Sequence, residues 1–203
     1  MVSSPVTPAG ATPEGTMLKK LAFALTLTLA AITGVVVVGG GSAAWAGYNN
    51  IALQSRMDYR LIMEVPGWSV GSGMTIHTNW TNSTTASSGY AGTNQLWSVP
   101  TYGTGYISNM HSNMCIETDG LAGDAVYQWP CNGSAHQQWR FDELQEWDWT
   151  ILNYDHFLHI VNPASGLALN IRGGNTNPGA TVIGWPVASP DSSNQDWYLN
   201  ARI

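Results

Sequence analysis

Three copies of one triplet constrain this chain more than any other feature: Gln95-Leu96-Trp97, Gln137-Gln138-Trp139 and Gln195-Asp196-Trp197. From the Gln and Trp content, chance supplies only about 0.3 such matches, so three spread along the chain indicate an internal repeat. A fourth match, Gln145-Glu146-Trp147, follows Gln137 closely, lacks equivalent flanks and reads as coincidence. The other three share their surroundings. Asn94 and Asn194 precede two of them, His136 the third, and a short strand-like run follows each.

The match extends well beyond the triplets. Ile107-Ser108-Asn109 aligns with Ile160-Val161-Asn162, and Cys115-Ile116-Glu117-Thr118 with Ala168-Leu169-Asn170-Ile171. Val126-Tyr127-Gln128-Trp129-Pro130 then aligns with Val182-Ile183-Gly184-Trp185-Pro186. The first copy is looser, with Met63 to Gly67, Ile76 to Trp80, and a Ser/Thr/Gly-rich loop from Asn82 to Gly92 before its triplet. Each copy reads as short strands between Gly, Asn, Ser and Pro turns, without helical periodicity. Phe141 to Asp155 adds residues between the second and third copies, a longer hairpin carrying Trp147 and Trp149. One copy cannot bury its own apolar face; three packed about a pseudo-threefold axis can. Trp97, Trp139 and Trp197 are therefore expected in the core.

The first 46 residues are expected to lie outside the fold. Lys19 and Lys20 precede the apolar run Leu21 to Val38, and Ala44-Trp45-Ala46 follows, which is the pattern of a secretory signal with Gly47 as the mature N-terminus. Met17 reads as a better start than Met1. The rival reading of the apolar run is a membrane anchor, since its length sits at the edge of spanning. No Cys lies near the cleavage point, which argues against a lipid anchor. Residues 47–203 suffice for one domain with a core, with repeats at about 50–100, 101–145 and 146–203.

This segment has no Lys, and its basic residues are Arg56, Arg60, Arg140, Arg172 and Arg202, against every acidic residue of the chain but Glu14. Such a surface repels phosphate, so nucleic acid and anionic membranes are poor partners. Abundant Gly, Ser, Thr, Asn and Trp suit an exported domain that meets neutral polar ligands. Cys115 and Cys131 are the only cysteines. Export would place them in an oxidising compartment, where they either pair or stay as thiols. Two cysteines supply too few ligands for a metal.

These residues resemble the ricin B-type lectin family, whose fold is the all-β β-trefoil and whose mark is a thrice-repeated Gln-x-Trp. The resemblance covers roughly Asn50 to Ile203, and the second copy is the closest match. Its Val126-Tyr127 pair followed by Pro130-Cys131-Asn132-Gly133 is also similar to small bacterial lectins of the actinohivin type. The resemblance places a disulfide between Cys115 and Cys131. It also implies sugar pockets built from a short acceptor, an aromatic wall, and the amides that open the triplet. Those roles suit a pyranose, which offers vicinal hydroxyls and one apolar C–H face.

Carried over residue by residue, the second copy offers Glu117, Tyr127, Trp129, His136 and Gln137. The third offers Asn170, Trp185, Asn194 and Gln195. The first offers Glu64, His77 or Trp80, Asn94 and Gln95. All three depart from the family's Asp at the acceptor: Glu64 and Glu117 are one methylene longer, and Asn170 lacks the charge. Charged acceptors bond more strongly than neutral ones. That ranks the second copy first, with its paired aromatics and cysteines, and the third copy lower.

Some signals look catalytic. Gly67-Trp68-Ser69-Val70-Gly71 spells a nucleophile elbow, but that motif needs a strand-to-helix turn of a parallel sheet, and no helix follows. His156 and His159 are three apart in a strand and so point to opposite faces. Asp142, Glu143, Glu146 and Asp148 read as a solvated turn rather than a glycosidase pair. Asn79-Trp80-Thr81, Asn82-Ser83-Thr84 and Asn132-Gly133-Ser134 match the glycosylation sequon. The sequence as a whole reads as a secreted β-trefoil lectin that binds neutral glycans, with no catalysis, cofactor or metal. The alternatives are a glycan-binding receptor subunit of a toxin, working beside a partner chain, and a trefoil protease inhibitor acting through the Asn82 to Gly92 loop.

Overall fold

The computed structural model describes residues 47–82, 92–101, 103–148, 153–188 and 192–201. The expected leader at 1–46, loop residues 83–91 and the hairpin tip with Trp149 lie outside the described residues, as does the side chain of Trp147.

The described residues form strands joined by turns, in three similar sets. The first holds β1 (Gly47–Ser55), β2 (Leu61–Glu64), β3 (His77–Trp80) and β4 (Trp97–Pro100). The second begins with an interrupted strand, β5 (Thr104–Gly105) and β6 (Ser108–Asn109), and continues with β7 (Cys115–Glu117), β8 (Tyr127–Trp129) and β9 (Trp139–Asp148). The third holds β10 (Asn153–Asn162), β11 (Leu167–Ile171), β12 (Ala180–Pro186) and β13 (Trp197–Asn200).

Antiparallel pairing runs β1–β4–β6, then β5–β9–β10–β13, and β13 returns to β1. The ring is closed into a barrel, which removes exposed sheet edges. Three hairpins, β2–β3, β7–β8 and β11–β12, cap one end. Their meeting point marks the pseudo-threefold axis. There Ile76 N–H donates to the Val126 carbonyl (2.8 Å), Val126 N–H to Val182 (3.0 Å), and Val182 N–H to Ile76 (2.9 Å). All three residues are buried, so each repeat satisfies the backbone of the next where water cannot. This is the β-trefoil that the family resemblance implied, with the three packed copies expected from the triplets.

The triplets explain themselves in this frame. Each Gln ends a short 3-10 turn, and each Trp opens the following strand, β4, β9 or β13. Trp97, Trp139 and Trp197 are fully buried in one core, as expected. Their indole N–H groups donate to the carbonyls of Met63 (3.1 Å), Ile116 (3.0 Å) and Leu169 (3.1 Å). The aligned Asn109 and Asn162 pin the turn of the preceding repeat: their amides donate to the carbonyls of Asn94 (2.9 Å) and Ala135 (2.9 Å). Repetition in the sequence is thus repetition of one packing unit.

Cys115 and Cys131 are joined, as the resemblance implied, with Cα atoms 5.1 Å apart across the β7–β8 hairpin. A bridge over this short loop restricts the unfolded chain by about 3 kcal/mol in the chain-entropy model. Urea unfolding of Cys115→Ser/Cys131→Ser should show a loss of about 2–4 kcal/mol. An unchanged midpoint would mean that the hairpin is held by its ladder alone.

Candidate functional site

The third repeat gathers its proposed residues around one cavity. Asn170 on β11 faces Ile183 on β12, and Trp185 lies two residues on, along the same strand face. Asn194 enters from the 3-10 turn Ser193–Gln195. Its amide donates to Asn170 Oδ1 (3.3 Å) and the Ile171 carbonyl (3.2 Å), while its oxygen accepts from Ser192 (2.6 Å). A cavity of about 390 Å³ is lined by Asn170, Ile183, Trp185 and Asn194, together with Gly123, Arg172 and Gly173. Trp185 stays 47% exposed and offers its ring as a wall.

The last three lining residues escaped the sequence reading. Gly123 comes from the second repeat, where its N–H donates to the Gly184 carbonyl (2.7 Å) and Asp124 accepts from Gly184 (3.0 Å). A Cβ there would sit 3.3 Å from the Trp185 ring, and φ is +92°, so glycine suits both demands. Arg172 donates to the Gly123 carbonyl (2.9 Å) and ties that loop to the pocket rim. The signal in the sequence was the Arg172-Gly173-Gly174 run that follows β11.

In the second repeat the same positions converge but are more committed to one another. Glu117 accepts from the Gln137 amide (2.6 Å) and from the Tyr127 hydroxyl (3.5 Å). Burial, then hydrogen bonding to Asp119, raises the Tyr127 pKa, so its hydroxyl stays protonated. Tyr127 and Trp129 share a strand face and meet edge to face, with centroids 6.2 Å apart. Trp129 is 41% exposed, and Gly73 of the first repeat lies over its ring as Gly123 does over Trp185. His136 is half-buried beside Gly120, its backbone N–H bonded to Ser134 Oγ (3.1 Å).

The first repeat is closed at these positions. Glu64 and Asn94 are both buried. Glu64 accepts from Asn79 (2.8 Å) and Gln95 (3.1 Å), and Asn94 donates to the Val65 carbonyl (3.0 Å) and accepts from Asn82 (2.8 Å). His77 bonds Thr75 (3.1 Å), and burial lowers its pKa, which favours the neutral ring. The Asn79 amide nitrogen that a glycosylated sequon would modify is the one bonded to Glu64.

Gln95, Gln137 and Gln195 need a correction as direct contacts. All three are fully buried. Their amide nitrogens donate to the carbonyls of Trp80 (2.8 Å), Pro130 (2.9 Å) and Pro186 (2.9 Å), and their oxygens accept from the N–H groups of Asn82, Asn132 and Ala188. They fasten each triplet to its hairpin, and in two repeats they orient the Glu. Glu64 and Asn94 are corrected likewise: their polar atoms serve the fold rather than an open face.

The remaining polar clusters have structural work. Ser69 Oγ accepts from Gly71 N–H (3.1 Å) in a loop, and all described strand pairs are antiparallel, so no elbow forms. His159 is buried against Asp196 (3.0 Å), whereas His156 meets Glu143 (3.2 Å) at the surface, on the other face as expected. Arg140 pairs with Asp142. Arg56 joins Asp155 (2.9 Å), Asp196 (3.0 Å) and Glu146 (2.6 Å), three carboxylates distant in sequence. Burial works against that guanidinium's charge, but the three hydrogen bonds outweigh it and raise its pKa. No group of three or more metal-ligating side chains is found among the described residues.

Comparison with solved structures agrees with this architecture. The fold is similar to that of the designed threefold-symmetric protein ThreeFoil, at a TM-score of 0.60 and 22% identity, over 73% of this chain and 96% of that one. It is similar to the C-half of an earthworm R-type lectin in complex with GalNAc, at 0.55 and 14%, over 75% and 98% of the two chains. It is also similar to a Polyporus squamosus lectin bound to Neu5Acα2-6Galβ1-4GlcNAc, at 0.54 and 15%, over 77% and 50%. At these identities the likeness speaks for the fold. Comparison with curated protein sequences gave no match. The sequence profile of the ricin-type β-trefoil lectin domain, however, matches residues 53–197, from within β1 to the third triplet's Trp, and the chain belongs to that family.

Proposed function

We propose that this chain is a secreted lectin that holds neutral glycans without chemistry, with the third-repeat pocket as its leading site. The observation that carries the reading is the convergence of Asn170, Asn194 and Trp185 on one open cavity of about 390 Å³. The exposed indole takes the C–H face of a pyranose, and the Asn170–Asn194 pair, already joined by a hydrogen bond, places its amide groups beside that wall for vicinal hydroxyls. Arg172 and the backbone of Gly123 complete the rim. The second repeat serves as an accessory site: its acceptor carries charge, but Gln137 and Tyr127 already engage both carboxylate oxygens. This order differs from the one drawn from sequence because it follows the cavity and not the acceptor: Asn170 is itself buried and bonded by Asn194, as Glu117 is bonded by Gln137, and the open cavity beside Trp185 puts the third repeat first. Secretion rests on the charged, apolar and Ala-x-Ala pattern of residues 19–46.

A glycan array should therefore give neutral ligands, and calorimetry on the best of them should separate the sites. Trp185→Ala and Asn170→Ala should each lose about 1–3 kcal/mol, roughly ten- to hundredfold in affinity. Glu117→Ala should lose less. Loss confined to Glu117→Ala and Trp129→Ala would move the leading site to the second repeat, and an array without any bound glycan would overturn the reading.

A further inference from the structure

Repeat one departs from the other two by a single step along its hairpin. Strand register makes Asn79 the counterpart of Trp129 and Trp185, and Trp80 the counterpart of Pro130 and Pro186. The buried glutamines agree, since they bond the carbonyls of Trp80, Pro130 and Pro186 alike. One residue along a strand is a change of face. Asn79 turns inward to Glu64, while Trp80 lies on the opposite side of the hairpin, 53% exposed. The neighbouring loop records the change: Gly179 has nothing within 4 Å of its Cβ position, where Gly73 and Gly123 each meet an indole.

On that opposite side Trp80 does not stand alone. It borders a pocket of about 410 Å³ with Gln54, Tyr59, Arg60 and Thr81, within the range of about 300–1,000 Å³ typical of small-ligand sites. Tyr59 is 75% exposed. The Arg60 guanidinium lies 5.7 Å from the Trp80 ring centre and is held in place by Asp58, through Nε (3.0 Å) and Nη2 (2.7 Å). That bond also keeps Asp58 ionised, with its pKa lowered to about 2. The pair cancels in charge, so an anion arriving at Arg60 meets the Asp58 carboxylate.

We propose that this pocket is a separate carbohydrate site, on the face opposite the family's position, which takes a neutral pyranose unit against Trp80. The inference rests on the glycan-binding reading above. Trp80 supplies the wall for the C–H face, Tyr59 flanks the ring, and Arg60 and Gln54, whose amide nitrogen also donates to the Tyr59 carbonyl, supply polar groups for hydroxyls. Repeat one has then moved its site to the other side of its hairpin, and the protein meets glycans from directions that threefold symmetry would not give.

Fluorine NMR of the full chain labelled with 5-fluorotryptophan tests this, with Trp80→Phe assigning the Trp80 resonance. The probes are methyl α-D-mannopyranoside, methyl β-D-galactopyranoside, neutral oligosaccharides from mannan and galactan, and acidic sialyllactose. The Trp80 resonance should shift saturably with a neutral probe, and should still do so in Trp129→Ala/Trp185→Ala. In that background Arg60→Ala should weaken the remaining binding about tenfold. If the Trp185 resonance responds while Trp80 stays still, the inference fails and the family-site reading stands. A response of Trp80 to sialyllactose alone overturns the neutral assignment. If no tryptophan responds to any probe, both fall.

Discussion

Trp139→Ala should remove most of the protein's stability. The side chain is fully buried at the meeting of the three repeats, and truncating a packed Trp costs about 3–5 kcal/mol. The Ile116 carbonyl loses its indole donor as well, and an unsatisfied buried acceptor costs about 1–3 kcal/mol. Domains of this kind hold only about 5–15 kcal/mol in total. Denaturant unfolding should therefore show a large fall in midpoint, while Trp129→Ala, at an exposed ring, should stay near the parent. Equal effects of the two substitutions would contradict the assignment of the triplet Trp to the core.

Arg56→Met should cost about 3–5 kcal/mol, because it leaves carboxylates uncompensated rather than merely removing an ion pair. Asp196 has no exposed side-chain surface and, among the described residues, would keep only His159 as a side-chain ionic partner. Asp155 would keep the Tyr198 hydroxyl (2.7 Å), whose own pKa burial and that bond push up to about 12. The methionine also gives up the contact of the guanidinium with the Phe157 ring, 4.1 Å away. Since these charges are partly buried, added salt should rescue little of the loss. Arg140→Met, which breaks the exposed pair with Asp142, is the control and should leave the midpoint nearly unchanged. A small, salt-sensitive effect for Arg56→Met would show that its partners are solvated.

What was legible in the sequence is what repeats. The triplet Trp must be buried to be worth repeating, and the aligned strands around it fix the three hairpins and the closed barrel. The cysteine pair was readable through the family resemblance, and the long β9–β10 hairpin because it is local. The site was only half legible. Residue type showed that Asn170, Trp185 and Asn194 suit a sugar, but not that Gln195, beside them, is buried behind the wall. Gly123 reaches Trp185 from another repeat, and Arg56 finds its acids across most of the chain; neither contact leaves a local pattern. In the first repeat the difference between Asn79 and Trp80 is one position of register. In the sequence that is a single offset between loosely matching copies, whereas a pleated strand turns it into a change of face.

Crystals soaked with the best neutral ligand from the array should show a pyranose ring stacked on Trp185, with hydroxyls within hydrogen-bonding distance of Asn170 and Asn194 and the Gly123 loop closing one side. A sugar bound only at Trp129 or along the β9–β10 hairpin, with the Trp185 cavity empty, would move the glycan site out of the third repeat.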